Sequence, residues 1–390
     1  MPITSAHRQR DDLCPGLLRP FPAEDGAIVR LRLPGGEAPV ALLAELMEIA
    51  RRGAGFLQLT SRGNLQLRGL PDPLPDALVD AVMATGLIPS PAHERVRNIL
   101  VSPLSGWWPR NAPDAPPAVA DVREIVTELD RLICADPVLA GLPGRFLFAV
   151  DDGRGDMLDE PFDVLYRALD ATTGEVRLAG QGNVFPVGAA NAAGALAAVA
   201  RAFQHHRAVA NPAPWHLHEL SSDDQDALLR NVTDTGSDTP LDRGPRAAGR
   251  RPEPGAVGPH AVIGLPLGRI TPAGLAELAA VTDTVILTPW RSVVVPDGAG
   301  RLDDLASFAT SPASGWAKVS ACTGAPGCLR GAHDTEAVAR ELVGAIDAGA
   351  LTLTEPVHLV ACDRHCGATA QQRHLLLTSD SAADAIALLR

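Results

Sequence analysis

Four of the six cysteines stand in two close pairs near the end of the chain: Cys322 and Cys328 with five residues between them, then, after 33 more, Cys362 and Cys366 with three. Each pair follows an apolar run of β character, Lys318-Val-Ser and Val357-His-Leu-Val, and opens into a loop of Gly, Pro and small polar residues. Loops of that composition can turn backbone amides toward a negatively charged centre, and four thiolates are the usual ligand set of an iron–sulfur cubane. Two other chemistries share these residues. Structural zinc favours two to four residues between paired cysteines, and the first pair here has five. Two disulfides would need an oxidising compartment. The cubane suits the spacing best.

Composition bounds the rest. The 390 residues suffice for two or three domains, and 46% hydrophobic content with a mean hydropathy of +0.07 describes a globular chain. A net charge of −12 and a pI near 5.4 argue against nucleic acid or an anionic membrane as the main partner, so a small-molecule substrate is expected. The segment Met1–Asp12 is polar, without the apolar core of a secretory signal, and no run reaches the length of a membrane span. A reducing, cytoplasmic setting is the expectation, and it favours thiolate ligation over disulfides.

The elements that must position the cysteines follow from periodicity. Alternation over Ile28–Leu33 predicts a strand with Arg30 and Arg32 on one face. Leu42, Leu43, Leu46, Met47 and Ile49 predict a helix over Ala38–Arg52 that stops at Gly53, and Gly55–Thr60 and Leu65–Gly69 predict a hairpin turning at Ser61-Arg62-Gly63-Asn64. A short strand within His93–Gly106, a helix over Asp121–Cys134, a strand over Leu142–Val150 and a helix near Ala189–His205 come next. From Ser221 to Pro259 the chain turns polar and rich in Pro, Gly, Asp and Arg, as a linker does.

Beyond it the pattern repeats. A strand at 260–267, a helix over Thr271–Ala280 and a paired segment at 283–296 match the first unit; strand 317–321, helix 334–346 and strand 357–361 match the second. In that register the cysteine loops correspond to Ser102-Pro-Leu-Ser and Asp151-Asp-Gly-Arg, which carry no ligands. The expected class is α+β: a duplicated ferredoxin-like half domain at 13–90 and 260–312, an α/β domain without ligands at 91–220, a linker at 221–259 and a cluster-binding domain at 313–390, the copies related by a pseudo-twofold.

The paired cysteine spacing is similar to the cluster signature of the sirohaem-dependent sulfite and nitrite reductases, and the duplicated architecture resembles theirs over nearly the whole chain. Leu-Thr-Ser-Arg62-Gly-Asn64-Leu-Gln-Leu-Arg68-Gly and Arg97-Asn98-Ile-Leu also carry the likeness. Cys14-Pro-Gly-Leu-Leu, Asp25-Gly-Ala and Arg32-Leu-Pro-Gly-Gly point to the cobalamin-pathway branch, the precorrin-3B synthases. The resemblance implies a 4Fe-4S cluster on Cys322, Cys328, Cys362 and Cys366, with Cys366 nearest any bound tetrapyrrole. It also implies substrate carboxylates paired with Arg62 and Arg97, and with Arg30, Arg32, Arg68, Arg145 and Arg291 as further candidates, because guanidinium forks suit carboxylates. The reductases present two lysines on the strand that is here Leu142-Pro-Gly-Arg145-Phe-Leu147; the second position is leucine, which weighs against anion reduction.

The implied function is hydroxylation of precorrin-3A with lactone formation, using dioxygen and electrons from a ferredoxin or an NADH-dependent reductase. No Gly-x-Gly-x-x-Gly follows a strand, so reducing equivalents would come through a partner. A mononuclear non-haem iron is a further implied cofactor, and His216-Leu-His218-Glu219 offers two histidines and a carboxylate for it, although an exposed polar loop reads as well. The competing readings are a small sulfite or nitrite reductase, which would bind sirohaem, and a tetrapyrrole-binding or electron-transfer protein without catalysis. No residue is assigned a catalytic role.

Overall fold

Val40, Leu43, Leu46, Met47 and Ala50 recur at helical spacing, and all five are buried along α1 (Val40–Ala50). This helix packs on a sheet begun by β1 (Phe21–Ala23), β2 (Gly26–Leu31), β4 (Leu57–Leu59) and β5 (Leu65–Leu70), while β3 (Glu37–Pro39) joins a second sheet and α2 (Asp76–Ala84) follows. The structure, a computed structural model, describes residues 12–107, 120–180, 184–230, 249, 251–369 and 372–389. The stretch before Asp12 and residues 231–248 of the expected linker lie outside the described residues.

The chain forms two compact units. The first comprises residues 1–14, 32–36 and 88–251; the second comprises 15–31, 37–87 and 252–390. In the first unit, β6 (Ile99–Val101), β7 (Phe148–Asp151) and β8 (Val164–Ala168) run parallel, with α3 (Arg123–Ala135) between β6 and β7. Two antiparallel strands, β9 (Thr173–Leu178) and β10 (Val184–Gly188), extend the sheet, and α4 (Ala192–Val209) packs against it. Tyr166, Phe146, Phe148 and Phe203 fill the core, and Val126, Leu129 and Ile133 present the apolar stripe of α3. Within the expected linker, Ser222–Arg230 forms α5, whose Leu228 and Leu229 join this core. The polar composition of that stretch hid two buried leucines.

The second unit holds the duplicated half domains, and their sheets exchange edges. β11 (Gly255–Val257), β12 (His260–Gly264), β14 (Thr284–Leu287) and β15 (Ser292–Val295) repeat the order of β1, β2, β4 and β5. The last strand of each sheet comes from the other copy: β13 (Arg269–Ile270) pairs with β4, and β3 pairs with β14. The exchange closes one edge of each sheet, which would otherwise present unpaired backbone groups. α6 (Pro272–Val281) matches α1 and is capped by Thr271, whose hydroxyl accepts from Gly274 N–H at 3.1 Å.

The cysteine-bearing lobe follows. Residues 315–318, expected in a strand from Ala317, instead form a helical turn, α7 (Gly315–Lys318), ahead of β16 (Val319–Ala321). β16, β17 (Val357–Val360) and β18 (Arg373–Leu376) are parallel, with α8 (Thr335–Asp347) between the first two and α9 (Ala382–Leu389) at the end. The order strand, helix, strand, strand, helix reproduces β6, α3, β7, β8, α4. Val319, Val338, Leu342, Leu359 and Leu375 form its core.

Candidate functional site

β16 and β17 are adjacent and parallel, with Ala321 opposite Leu359, so the loops beginning at Cys322 and Cys362 leave the same edge of the sheet. A parallel sheet gathers loops from its strand C-termini in this way, and such edges commonly bind ligands. Cys322 N–H donates to Leu359 O at 2.9 Å, and Thr335 Oγ1 donates to Cys322 O at 2.7 Å, tying the first loop to β17 and to the start of α8. The second loop closes through His365, which adopts φ 49°, with His365 N–H reaching Cys362 O at 3.3 Å.

All four sulfurs share one electrostatic environment. The Cys366 thiol is pushed up, first by desolvation and then by the charge of Cys362, Cys322 and Cys328, with Arg364 opposing. None of the four is disulfide-bonded. Among the described residues no three cysteine sulfurs lie within 4.8 Å of one another. Four sulfurs on a single tetrahedral zinc would stand ~3.8 Å apart, since Zn–S is about 2.3 Å. Four thiolates are also the donor set of a cubane.

Buried cations meet that charge. Arg291 Nη2 donates to Gly367 O at 2.5 Å, and Cys322 is the charge that supports its protonation against a desolvation that pulls the guanidinium down to about 10. His358, fully buried, donates from Nε2 to Cys366 O at 3.0 Å, which leaves Nδ1 to accept from Ser320 Oγ at 2.8 Å. Gln372 Nε2 in turn donates to Ser320 Oγ at 3.0 Å. Burial, then the Arg291 charge, lowers His358 to about 3, so it stays neutral and keeps this orientation. Arg68 grips the first loop: its guanidinium spans both oxygens of Asp25 at 2.9 and 3.0 Å and donates to Thr323 Oγ1 at 3.0 Å and Gly327 O at 3.2 Å. A cavity of about 210 Å³ lined by Phe56, Arg68, Thr323, Pro326 and Glu336 lies beside this loop, below the ~300–1,000 Å³ usual for ligand pockets.

The expected carboxylate-binding arginines part company here. Arg68 and Arg291 serve the cysteine loops. Arg97 is buried and its fork is taken by Asp130, with both bonds at 2.7 Å. Arg32 lies beyond the end of β2, buried, with Nε donating to Asn98 Oδ1 at 3.3 Å, while Arg30 within the strand donates to Gln66 Oε1 at 3.1 Å. Arg145 stacks over the Trp215 ring at 4.9 Å and shares its charge with Asp12. Burial raises the Asp12 carboxyl, but N–H bonds from Cys14 and Gly144 and the charges of Arg95 and Arg145 outweigh it and hold it below the usual range. Arg62 sits half-buried in the β4–β5 turn, where Thr60 Oγ1 accepts from the N–H of Arg62 at 3.3 Å and of Asn64 at 3.2 Å.

The ligand-free counterpart in the first unit is sewn shut by its own side chains. Asp151, at the end of β7, accepts from Gly153, Gly155 and Met157 N–H at 2.8, 2.9 and 3.0 Å. Ser102, just after β6, donates to Asp156 Oδ1 at 2.6 Å and accepts from Asp152 N–H at 3.1 Å. Carboxylates therefore organise the two loops that correspond to the cysteine loops of the other lobe.

Residues 21–84 match the nitrite/sulfite reductase ferredoxin-like half domain. A precorrin-3B synthase of Sinorhizobium sp. is 26% identical over 392 aligned residues, which span 92% of this chain and 78% of that protein. The structure of the Mycobacterium tuberculosis NirA protein matches with a TM-score of 0.66 at 21% identity, covering 87% of this chain and 69% of that one, a likeness of fold. The half domain at residues 21–84 and the fold are thus similar to those of nitrite and sulfite reductases.

Proposed function

We propose that the chain is an oxidoreductase acting on a carboxylate-rich tetrapyrrole, a precorrin-3B synthase-like monooxygenase, with a 4Fe-4S cluster on Cys322, Cys328, Cys362 and Cys366. The observation that carries this reading is the convergence of four cysteines on adjoining loops fixed by buried cations, in a chain similar to a precorrin-3B synthase. When bound, the cluster supplies electrons singly. Arg68 and Asp25 hold the first cysteine loop, His358 and Arg291 hold the second, and the Arg291 charge offsets that of the thiolates. Arg62 is the arginine we assign to substrate carboxylates.

Hydroxylating a ring carbon with dioxygen places one oxygen atom in the product and releases the other as water, which takes two electrons and two protons. A ferredoxin or NADH-dependent reductase is the proposed donor, and a ring acetate then closes the lactone. The test is oxygen uptake by anaerobically purified, cluster-loaded protein supplied with precorrin-3A and a reductant. The expected result is a product heavier by one oxygen atom. Leu147, in place of a second lysine, is buried just ahead of β7 with its N–H committed to Asp163, so that stretch offers substrate no second cation for anion reduction. Sirohaem in the purified protein with turnover of sulfite or nitrite would replace the proposal, and an intact cluster without oxygen consumption would leave an electron-transfer protein.

A further inference from the structure

β8 and β18 hold the same place in their lobes, each lying parallel to a neighbour on one side, β7 in the first unit and β17 in the second. Their other sides differ. β8 is covered by the antiparallel strand β9, with Leu165 opposite Arg177 and Arg167 opposite Glu175. β18 ends its sheet, and among the described residues no strand pairs with its outer side.

The backbone shows which groups face outward there. Arg373 N–H donates to Pro356 O and Leu377 N–H to Val360 O, both at 2.9 Å, so alternation commits Arg373, Leu375 and Leu377 to β17 and turns the N–H and C=O of His374 and Leu376 outward. In β8 the matching alternation serves β9: Asp163 O accepts from Ala179 N–H and Leu169 N–H donates to Thr173 O, each at 2.9 Å, which puts Leu165 and Arg167 on the covered side. His374 and Leu376, second and fourth in β18 as Leu165 and Arg167 are in β8, carry no lysine or proline to blunt the edge. The rim is apolar. Leu376 is 41% exposed, and Leu388 of α9, whose carbonyl accepts from Arg373 Nη2 at 2.9 Å, is 47% exposed. In the first unit α4, the counterpart of α9, packs on β9 and β10 as well as β8.

We propose that the outer side of β18 is a self-association edge, on which a second copy of this chain adds its own β18 in antiparallel register. The sequence about Leu375 suits a two-fold axis. With Leu375 on that axis, His374 of one protomer stands opposite the partner's Leu376, and each such pair exchanges both of its N–H···O bonds. Arg373 meets the partner's Leu377, so no like charges oppose across the seam. A second copy supplies a leucine for each His374 and another Leu388 for the rim, a match that the chain carries within itself. The contact needs neither the cluster nor a tetrapyrrole, so it stands or falls apart from the activity proposed above.

Sedimentation of anaerobically purified full-length protein tests the edge. The expected result is a species of two 40.7 kDa chains that dissociates on dilution within the micromolar range, because so short a strand covers less than the ~800 Å² per partner of a standard interface. The amide hydrogens of His374 and Leu376 should exchange several-fold more slowly in the concentrated protein than in the dilute one. Leu376→Pro removes an outward N–H that β17 does not use, and Leu376→Lys sets a charge on the edge; both should sediment as single chains with unchanged circular dichroism. Val209→Lys, at an exposed apolar position at the end of α4, should leave the dimer as it is. A native protein that sediments as one chain throughout the micromolar range, or a dimer that survives both Leu376 variants, would overturn the proposal.

Discussion

Arg68 and Thr323, 255 positions apart in the sequence, are joined by a hydrogen bond of 3.0 Å from the arginine Nη1 to the threonine hydroxyl. Through it a hairpin of the first half domain sets the position of the loop between Cys322 and Cys328. An arginine that sequence alone would hand to substrate is thereby a fixture of the cysteine site, with Asp25 as its charge partner.

Arg68→Ala should therefore act on the cluster before it acts on substrate. Removing a nearly buried guanidinium that makes charge-assisted bonds to Asp25 and the loop should cost about 2–3 kcal/mol. Denaturant unfolding would show a lower midpoint, and the visible cluster absorption should bleach several-fold faster in air. Native bleaching kinetics would contradict the clamp.

Gly367→Ala separates backbone strain from crowding. Gly367 has φ +81°, and a Cβ there would stand 2.1 Å from Arg291 Nη2, so the arginine must leave Gly367 O and the charge of Cys322. Gly349 has a similar φ of +72° but open space where a Cβ would stand, with nothing within 4 Å, and alanine there should cost only ~1 kcal/mol of conformational strain. Iron content should fall in the first variant and hold in the second.

Arg97→Ala should behave as a structural change. Its fork is closed on Asp130, so the variant should lose about 3 kcal/mol of stability and keep native cluster content. Tetrapyrrole affinity, measured by fluorescence titration, should be near native for the folded fraction, whereas Arg62→Ala should lower it about tenfold. Equal losses of affinity from both would contradict this division of labour.

Asp156 gives the first unit a dependence on pH. Burial, then the charges of Asp151 and Asp152, push it up to about 8, with Arg154 and the Ser102 hydroxyl opposing. The unfolded chain releases that proton near the ordinary value of 3.8 while the folded chain keeps it. This contribution to stability is complete below the unfolded value and is lost as pH rises through the folded one. The slope reaches at most about 1.4 kcal/mol per pH unit for one proton. Urea unfolding between these limits should show stability falling with pH, and Asp156→Asn should flatten the curve; an equal slope in the variant would contradict the assignment.

The parts legible in the sequence were those with local signals. Val126, Leu129 and Ile133 mark α3 by spacing, Thr271 and Asp334 sit as N-caps one residue before α6 and α8, and the internal repeat pairs the strands of the two lobes. The exchanged edges were not legible, because β3 has three residues and β13 two, too few to show a period. The roles of the arginines were hidden for another reason: Asp130 lies 33 positions from Arg97, and Thr323 lies 255 from Arg68, so each partner is fixed by folding and not by spacing.

Acid-labile sulfide in anaerobically purified protein tests the central claim most directly, since neither zinc nor a disulfide contributes any. The account predicts about four sulfides per chain, as a cubane requires, and almost none in Cys362→Ser. Native protein without sulfide, or a Cys362→Ser variant with native sulfide content, would contradict it.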